Sequence, residues 1–210
     1  MKLYHYWRSS SSWRVRWALE LKKLKAELIP VNLLKGESHT EEHRKRSPMG
    51  WVPALEIETN DGAVLLSESV AMIEYLEEAF PQSYPLLPGS PLNRGRIRQF
   101  TEIINAGTQP IQNLSVQKYF SDDGEKQLEW SRHWIARGFE AYEALAKNSA
   151  GRFTLGDQIT LADLFLAPQV YNAKRFEVDL APYPTISRIC DGCAETSEYQ
   201  ASEPSKFEPK

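Results

Sequence analysis

Residues 2–33 read KLYHYWRSSSSWRVRWALELKKLKAELIPVNL, and the architecture follows from this stretch. Leu3 and Tyr4 belong to a short run closed by the polar Arg8-Ser9, so residues 2–6 read as a strand. Over residues 12–24 the period changes. Trp17, Ala18, Leu21 and Leu24 share one helical face, while Arg14, Glu20 and Lys23 are polar. Residues 27–33 return to a strand pattern, and Pro30 marks it as an edge because proline cannot donate to a ladder. Strand, helix and strand in this order form a βαβ unit, whose two strands are parallel.

The next residues complete a small sheet. Residues 35–48 are polar, with room for one short helix. Pro53 then precedes a strand at 54–57. Asn60-Asp61-Gly62 is a turn, and a fourth strand follows at 64–66, antiparallel through the hairpin. Val70, Ile73, Leu76 and Phe80 give residues 67–80 helical spacing. Residues 81–91 (PQSYPLLPGSP) hold four prolines and a glycine, a linker composition. Beyond it the apolar spacing is helical: Ile97, Phe100, Ile103 and Ile104; then Leu128, Ile135, Phe139, Tyr142 and Leu145; then residues 160–170 and 185–196. The expectation is an α/β domain over 1–82, a linker over 83–90 and an all-α domain over 91–210.

Composition sets the outer limits. Of 210 residues, 41% are hydrophobic and 25% charged, enough apolar content for a packed core. Lys plus Arg is 25 against 28 for Asp plus Glu, and this net charge of −3 argues against a nucleic-acid partner. Two cysteines make no disulfide framework. No apolar run approaches the roughly 18–20 residues of a membrane span, and the first residues lack the apolar core of a secretory signal. These features lead us to expect a cytoplasmic protein without a membrane partner.

Four motifs carry candidate chemistry. In Arg8-Ser9-Ser10-Ser11-Ser12-Trp13, a serine oxygen can cap the helix that follows, but one cap accounts for one serine and not four. A helix N-terminus also attracts anions, thiolates among them. In the thioredoxin arrangement this turn carries Cys-x-x-Cys. Here it carries serines, so a thiolate at this turn must come from another molecule. In Gly50-Trp51-Val52-Pro53, the proline is either an ordinary loop proline or a cis one. A cis bond would turn the Val52 backbone outward toward an extended peptide. Ser67-Glu68-Ser69 enters a helix, where the serines can cap, or where the helix end and Glu68 can take the carboxylate and ammonium of an α-amino acid. Thr160 and Asp163 have capping-box spacing, and Ile159 and Leu164 that of a hydrophobic staple, a structural reading. Cys190 and Cys193 form a C-x-x-C without the second pair a zinc site needs. The run His43-Arg44-Lys45-Arg46 reads as a solvated face. Arg175 is either a surface charge or a carboxylate ligand.

Together these pieces resemble the cytosolic glutathione transferases: a thioredoxin-like half with Val-Pro before its third strand and Glu-Ser entering its last helix, then a helical half with the Thr-x-x-Asp box. More narrowly the chain resembles the zeta class. That class shows Ser-Ser-Cys-Ser-Trp-Arg-Val-Arg where residues 9–16 read SSSSWRVR. Residues 109–115 (QPIQNLS), 172–180 (NAKRFEVDL) and 182–185 (PYPT) also look like the class. The likeness covers nearly the whole chain.

The resemblance implies glutathione as cofactor and glutathione-dependent cis–trans isomerisation of maleylacetoacetate to fumarylacetoacetate, in tyrosine and phenylalanine catabolism. By the same likeness, Ser9 hydrogen-bonds the glutathione sulfur with Ser10 beside it, and Ser11 stands where the class has cysteine. Val52 pairs its backbone with the cysteinyl part, and Glu68 and Ser69 hold the γ-glutamyl head. His39 is a candidate for the glycyl end, and Ser38 a weaker one, because the family often has Gln-His in this loop where the chain has Ser38-His39. Gln109 and Asn113 border the active site, and Arg175 faces the carboxylate of a small electrophilic dicarboxylate substrate. A homodimer is implied as well. Two other readings stay open at this point: a general glutathione transferase or haloacid dehalogenase on the same scaffold, and a non-catalytic glutathione-transferase-like binding protein.

Overall fold

In the computed structural model, which describes residues 1–209, strand β1 (Lys2–His5) lies between two neighbours of opposite sense. β2 (Glu27–Pro30) runs parallel to it and forms one edge, as Pro30 requires. β3 (Ala54–Thr59) runs antiparallel to β1 on the other side, and β4 (Gly62–Ser67) pairs antiparallel with β3. The order is therefore β2-β1-β3-β4. This is the thioredoxin-like mixed sheet expected for the first part of the chain.

Helix α1 (Ser10–Lys22) follows β1 and begins two residues earlier than its apolar spacing indicated, because Ser9 caps it. It ends at Lys23 in the left-handed conformation, φ 53°. The 35–48 region is more finely divided than one short helix. Two single 3-10 turns, Leu33–Lys35 and Glu37–His39, precede α2 (Glu41–Arg46). After β4 comes α3 (Ser69–Ala79). The buried ammonium of Lys22 ties α1 to this helix: its Nζ lies 2.7 Å from Glu77 Oε2, and it also donates to Ser83 Oγ and the Tyr84 carbonyl.

The chain divides into two units, Met1–Pro85 together with the segment from Ser197, and Leu86–Thr196. This differs from the expected helical domain over 91–210 in one respect. The last stretch packs with the first unit, where α9 (Ser197–Ser202) lies against α1. Trp13 donates its indole N–H to Ser202 Oγ at 3.0 Å, and the Tyr199 ring meets Trp13 and Trp17 edge-on. A six-residue helix gives too little periodicity for its partner to be read from sequence. The 83–90 linker is anchored too: Tyr84 by Lys22 in the first unit, and Leu86 and Leu87 by burial in the second.

The second unit is helical, with α4 (Pro91–Asn105), α5 (Leu114–Phe120), α6 (Gly124–Ala146), α7 (Leu161–Arg175) and α8 (Pro184–Ala194). α5 is an element the apolar spacing did not mark. α7 is the central helix, buried on nearly every side and packed against α4 and α8. Its start is the expected capping box. The fully buried Asp163 carboxylate accepts from the Thr154 N–H at 2.9 Å and from the Thr160 N–H and hydroxyl at 2.8 and 3.1 Å. Burial raises its pKa, and these hydrogen bonds oppose the rise. Ile159 and Leu164, the staple pair, are both buried. A second cap has no local signature: Glu143 of α6 reaches the start of α8 and accepts from the N–H groups of Thr185 and Ile186. Cys193 is buried and Cys190 half-buried, and desolvation pushes both thiols up, away from reactivity.

Replacing Asp163 with alanine leaves two buried N–H groups unsatisfied. The expected loss is about 3 kcal/mol of stability, read as a lowered urea midpoint; a midpoint equal to wild type contradicts the capping role.

Candidate active site

The register of β3 gathers the motifs of the first unit. Ala54 pairs with Tyr4 on one side and with Ser67 on the other. The turn after β1, the loop before β3 and the residues after β4 therefore leave the sheet at one end. Tyr4, Tyr6, Val31, Val52 and Ala54 form one buried cluster there.

The four serines divide their tasks. Ser9 is the N-cap of α1, its Oγ accepting from the Ser12 N–H at 3.2 Å, and its own N–H donates to the Tyr6 carbonyl. Ser12 is fully buried, and its Oγ accepts from the Tyr6 N–H at 3.3 Å. Ser9 and Ser12 thus fix the turn between them, while Ser10 begins the helix and Ser11 is half-buried. A hydroxyl has one hydrogen to give besides its acceptor lone pairs. Capping uses the Ser9 oxygen as an acceptor and leaves that hydrogen for a partner at the helix end. No acidic side chain lies in the first turn of α1 to compete for the positive end.

The Val52–Pro53 bond is cis. The Val52 N–H and C=O have no hydrogen-bond partner among the described residues, although the side chain is buried. The loop before it is held by His43, whose Nε2–H donates to the Trp51 carbonyl at 2.8 Å. His43 is therefore not part of a solvated basic face, as the run 43–46 suggested; it is buried. Arg44 and Lys45 do face outward, Lys45 toward Glu41, but Arg46 is half-buried, paired with Glu42 and with its guanidinium over the Tyr4 ring. Gly50 has φ +69°, and a Cβ there would stand 3.0 Å from both His39 Nδ1 and the Ser38 carbonyl. His39 thus lies beside Gly50 with its side chain exposed, whereas Ser38 is buried.

Glu68 holds a backbone φ of 69°, in the left-handed region that costs a non-glycine residue of order 1 kcal/mol or more. It caps nothing with its side chain, and the carboxylate is exposed. Ser69 is buried at the start of α3, and its Oγ accepts from Arg14 of α1 at 3.2 Å. Arg14 therefore braces the two helix N-termini that bear Ser9 and Glu68.

Gln109, Asn113 and Arg175 belong to the second unit. Asn113 caps α5, its Oδ1 accepting from the Ser115 N–H. The segment that carries Gln109 docks on α6 where Gly138 leaves room: a Cβ there would run into the Thr108 side chain. Arg175 is exposed in the last turn of α7, bonded to Asn172 Oδ1 at 3.2 Å and lying over the Phe176 ring. Sequence reading gave no role to Gly138, counted Arg14 only among the polar residues of its helix and set His43 on a solvated face. A buried charge, a buried imidazole and a helix glycine show their purpose only through partners distant in sequence.

Comparison with known proteins agrees with this arrangement. Residues 3–84 match the family model "Glutathione S-transferase, N-terminal domain", and residues 129–192 match "Glutathione S-transferase, C-terminal domain". The chain is 45% identical over 204 residues to the maleylacetoacetate isomerase of Rattus norvegicus, covering 96% of this chain and 91% of that protein. It superposes with TM-score 0.90 at 45% identity on the maleylacetoacetate isomerase of Anaeromyxobacter dehalogenans 2CP-1, solved with glutathione bound in its active site; 100% of this chain and 96% of that one are covered. A bacterial zeta-class maleyl pyruvate isomerase in its holo form superposes with TM-score 0.92 at 38% identity, covering 100% of this chain and 99% of that one.

The division among the serines is testable by stability alone. Ser12→Ala strands the buried Tyr6 N–H and is expected to cost about 2 kcal/mol. Ser11→Ala is expected to stay within about 0.5 kcal/mol of wild type. Urea unfolding of both variants measures the difference, and equal losses contradict it.

Proposed function

The chain belongs to the glutathione S-transferase family, and on that premise we propose that it is a zeta-class, glutathione-dependent cis–trans isomerase acting on maleylacetoacetate. The observation that carries this reading is the convergence of Ser9, Val52 and Glu68-Ser69 at one end of the sheet. Each offers what glutathione needs. Ser9 has an uncommitted hydroxyl hydrogen for the sulfur. Val52 has an unpaired backbone N–H and C=O for the cysteinyl peptide. Glu68 has an exposed carboxylate for the γ-glutamyl ammonium, and the start of α3 at Ser69 has free N–H groups for its carboxylate.

Bound glutathione supplies a thiolate that adds to the cis double bond, making it a single bond free to rotate, and departs to leave the trans isomer. The protein's task is to keep that sulfur ionised. A free thiol has pKa about 8.5, and a drop of about 2 units needs about 2.7 kcal/mol in favour of the anion. A hydrogen bond from Ser9 to a charged acceptor contributes about 1.5–3 kcal/mol, and the N-terminus of α1 adds about 0.5–1. The two together meet the requirement, without a nucleophile from the protein. Ser11 in the class cysteine's place fits the same scheme, because the reacting sulfur is not the protein's. Arg175 offers a guanidinium fork to a substrate carboxylate, with Asn172 orienting it. We assign His39 to the glycyl end of glutathione, and Gln109 and Asn113 to the substrate.

We place the enzyme in the cytoplasm, in tyrosine and phenylalanine breakdown, as a homodimer. The exposed apolar side chains Val64 and Leu65 of β4 support the last point. Among the described residues no helix is long and apolar enough to cross a membrane.

The test is isomerisation of maleylacetone, a stable stand-in for the substrate, by purified protein with and without glutathione. Activity that requires glutathione and falls about a hundredfold in Ser9→Ala is expected. Glutathione binding without isomerisation would point to another electrophile, and no glutathione binding to a non-catalytic protein. Arg175→Ala is expected to raise KM for maleylacetone far more than for its uncharged ester. Equal effects on the two would remove Arg175 from the site.

A further inference from the structure

Arg16 of α1 is 2% exposed, and the partners it meets among the described residues are neutral. Its Nε donates to the Ser202 carbonyl at 3.1 Å. Nη2 donates to the Trp7 carbonyl at 3.0 Å, and Nη1 reaches the Tyr6 carbonyl at 3.5 Å and His5 Nδ1 at 3.2 Å. The Phe207 ring covers the guanidinium, 4.6 Å from Cζ to the ring centroid, and meets His5 edge-on. Burial of this kind is costly, and apolar residues of similar volume often serve stability as well or better. Desolvation brings the guanidinium pKa down to about 9, and desolvation followed by the Arg16 charge brings the His5 imidazole down to about 4. His5 is thus a neutral acceptor for the Arg16 N–H at neutral pH.

The fork is spent on the turn that delivers Ser9. The Tyr6 carbonyl that Arg16 reaches also accepts from the Ser9 N–H at 3.1 Å, and the Trp7 carbonyl belongs to the same turn. No rotamer of a lysine could span both carbonyls and Ser202 with such planar geometry. The opposite side of the guanidinium rests on the 197–207 segment, seated on α1 by Ser202, Tyr199 and Phe207.

We propose that Arg16 is a positioning residue for Ser9, acting through the carbonyls of Tyr6 and Trp7, and that the 197–207 segment holds Arg16 in place. The last segment of the chain thereby sets how well the first turn ionises a thiol. This rests on the assignment of Ser9 to the glutathione sulfur.

The experiment is an ultraviolet titration of the thiol of glutathione bound to the full chain, with binding affinity measured alongside, in wild type and in Ser9→Ala, Arg16→Lys and Phe207→Ala. Arg16→Lys is expected to raise the bound thiol pKa by about one unit, from about 6.5 to about 7.5, a roughly threefold loss of thiolate at pH 7. Phe207→Ala is expected to raise it by about half a unit, a roughly 1.5-fold loss. Affinity for glutathione measured at about pH 5, where the thiol is protonated both free and bound, should hold in both, since Val52, Glu68 and Ser69 are untouched. A shifted Ser9→Ala beside unshifted Arg16→Lys and Phe207→Ala overturns this inference and leaves the Ser9 assignment standing. An unshifted Ser9→Ala overturns both. Weakened affinity at an unchanged thiol pKa makes Arg16 merely structural and also overturns it. Should Arg16→Lys fail to fold, Phe207→Ala decides the matter by the same criterion.

Discussion

The register of β3 is the constraint on which the chemistry of the first unit depends. Ala54 is paired on both flanks, with Tyr4 and with Ser67, and the pairing fixes which backbone segments emerge together. A slip by one residue would turn every β3 side chain to the opposite face. Leu55 and Ile57 would exchange sides with Glu56 and Glu58. The register is therefore held by core burial, and the candidate site inherits its precision from the core.

On that frame the polar groups act in sequence. Two buried arginines two residues apart on α1 reach different places: Arg14 spans to Ser69 at the start of α3, and Arg16 to the Tyr6–Trp7 turn and the 197–207 segment. Each converts a desolvation cost into fixed geometry at a helix N-terminus. Ser12 and His43 do the same, holding the Tyr6 N–H and the Trp51 carbonyl. The groups we propose for glutathione are those left without such partners: the hydroxyl hydrogen of Ser9, the backbone of Val52 and the carboxylate of Glu68.

Much of this was legible in the sequence. The order of elements follows from residues 2–80 because period-2 and helical patterns alternate there with proline and glycine punctuation. Pro30 announced the edge strand, and Thr160 and Asp163 announced their box, because both effects are local. The zeta-like run at residues 9–16 led to the family. What escaped depends on residues far apart. Short helices such as α5 and α9 carry too few turns to show a face. The seat of Ser202 on Trp13 and Arg16 joins residues more than 180 positions apart, as does no pattern a reader can scan. The cap that Glu143 gives α8 has no signature at residue 184, and His43 looked like the first residue of a basic run. The positive φ of Glu68 is likewise invisible in a Ser-Glu-Ser triplet.

On the proposed reading, Ser9 and the N-terminus of α1 ionise the thiol of glutathione. Proton release on glutathione binding tests it most directly, by calorimetric titration near pH 7 in buffers of different ionisation enthalpy. If binding lowers the thiol pKa by two units from about 8.5, about 0.7 proton leaves per glutathione bound. Binding with no proton released would contradict the account, since the thiol would then remain protonated in the cradle.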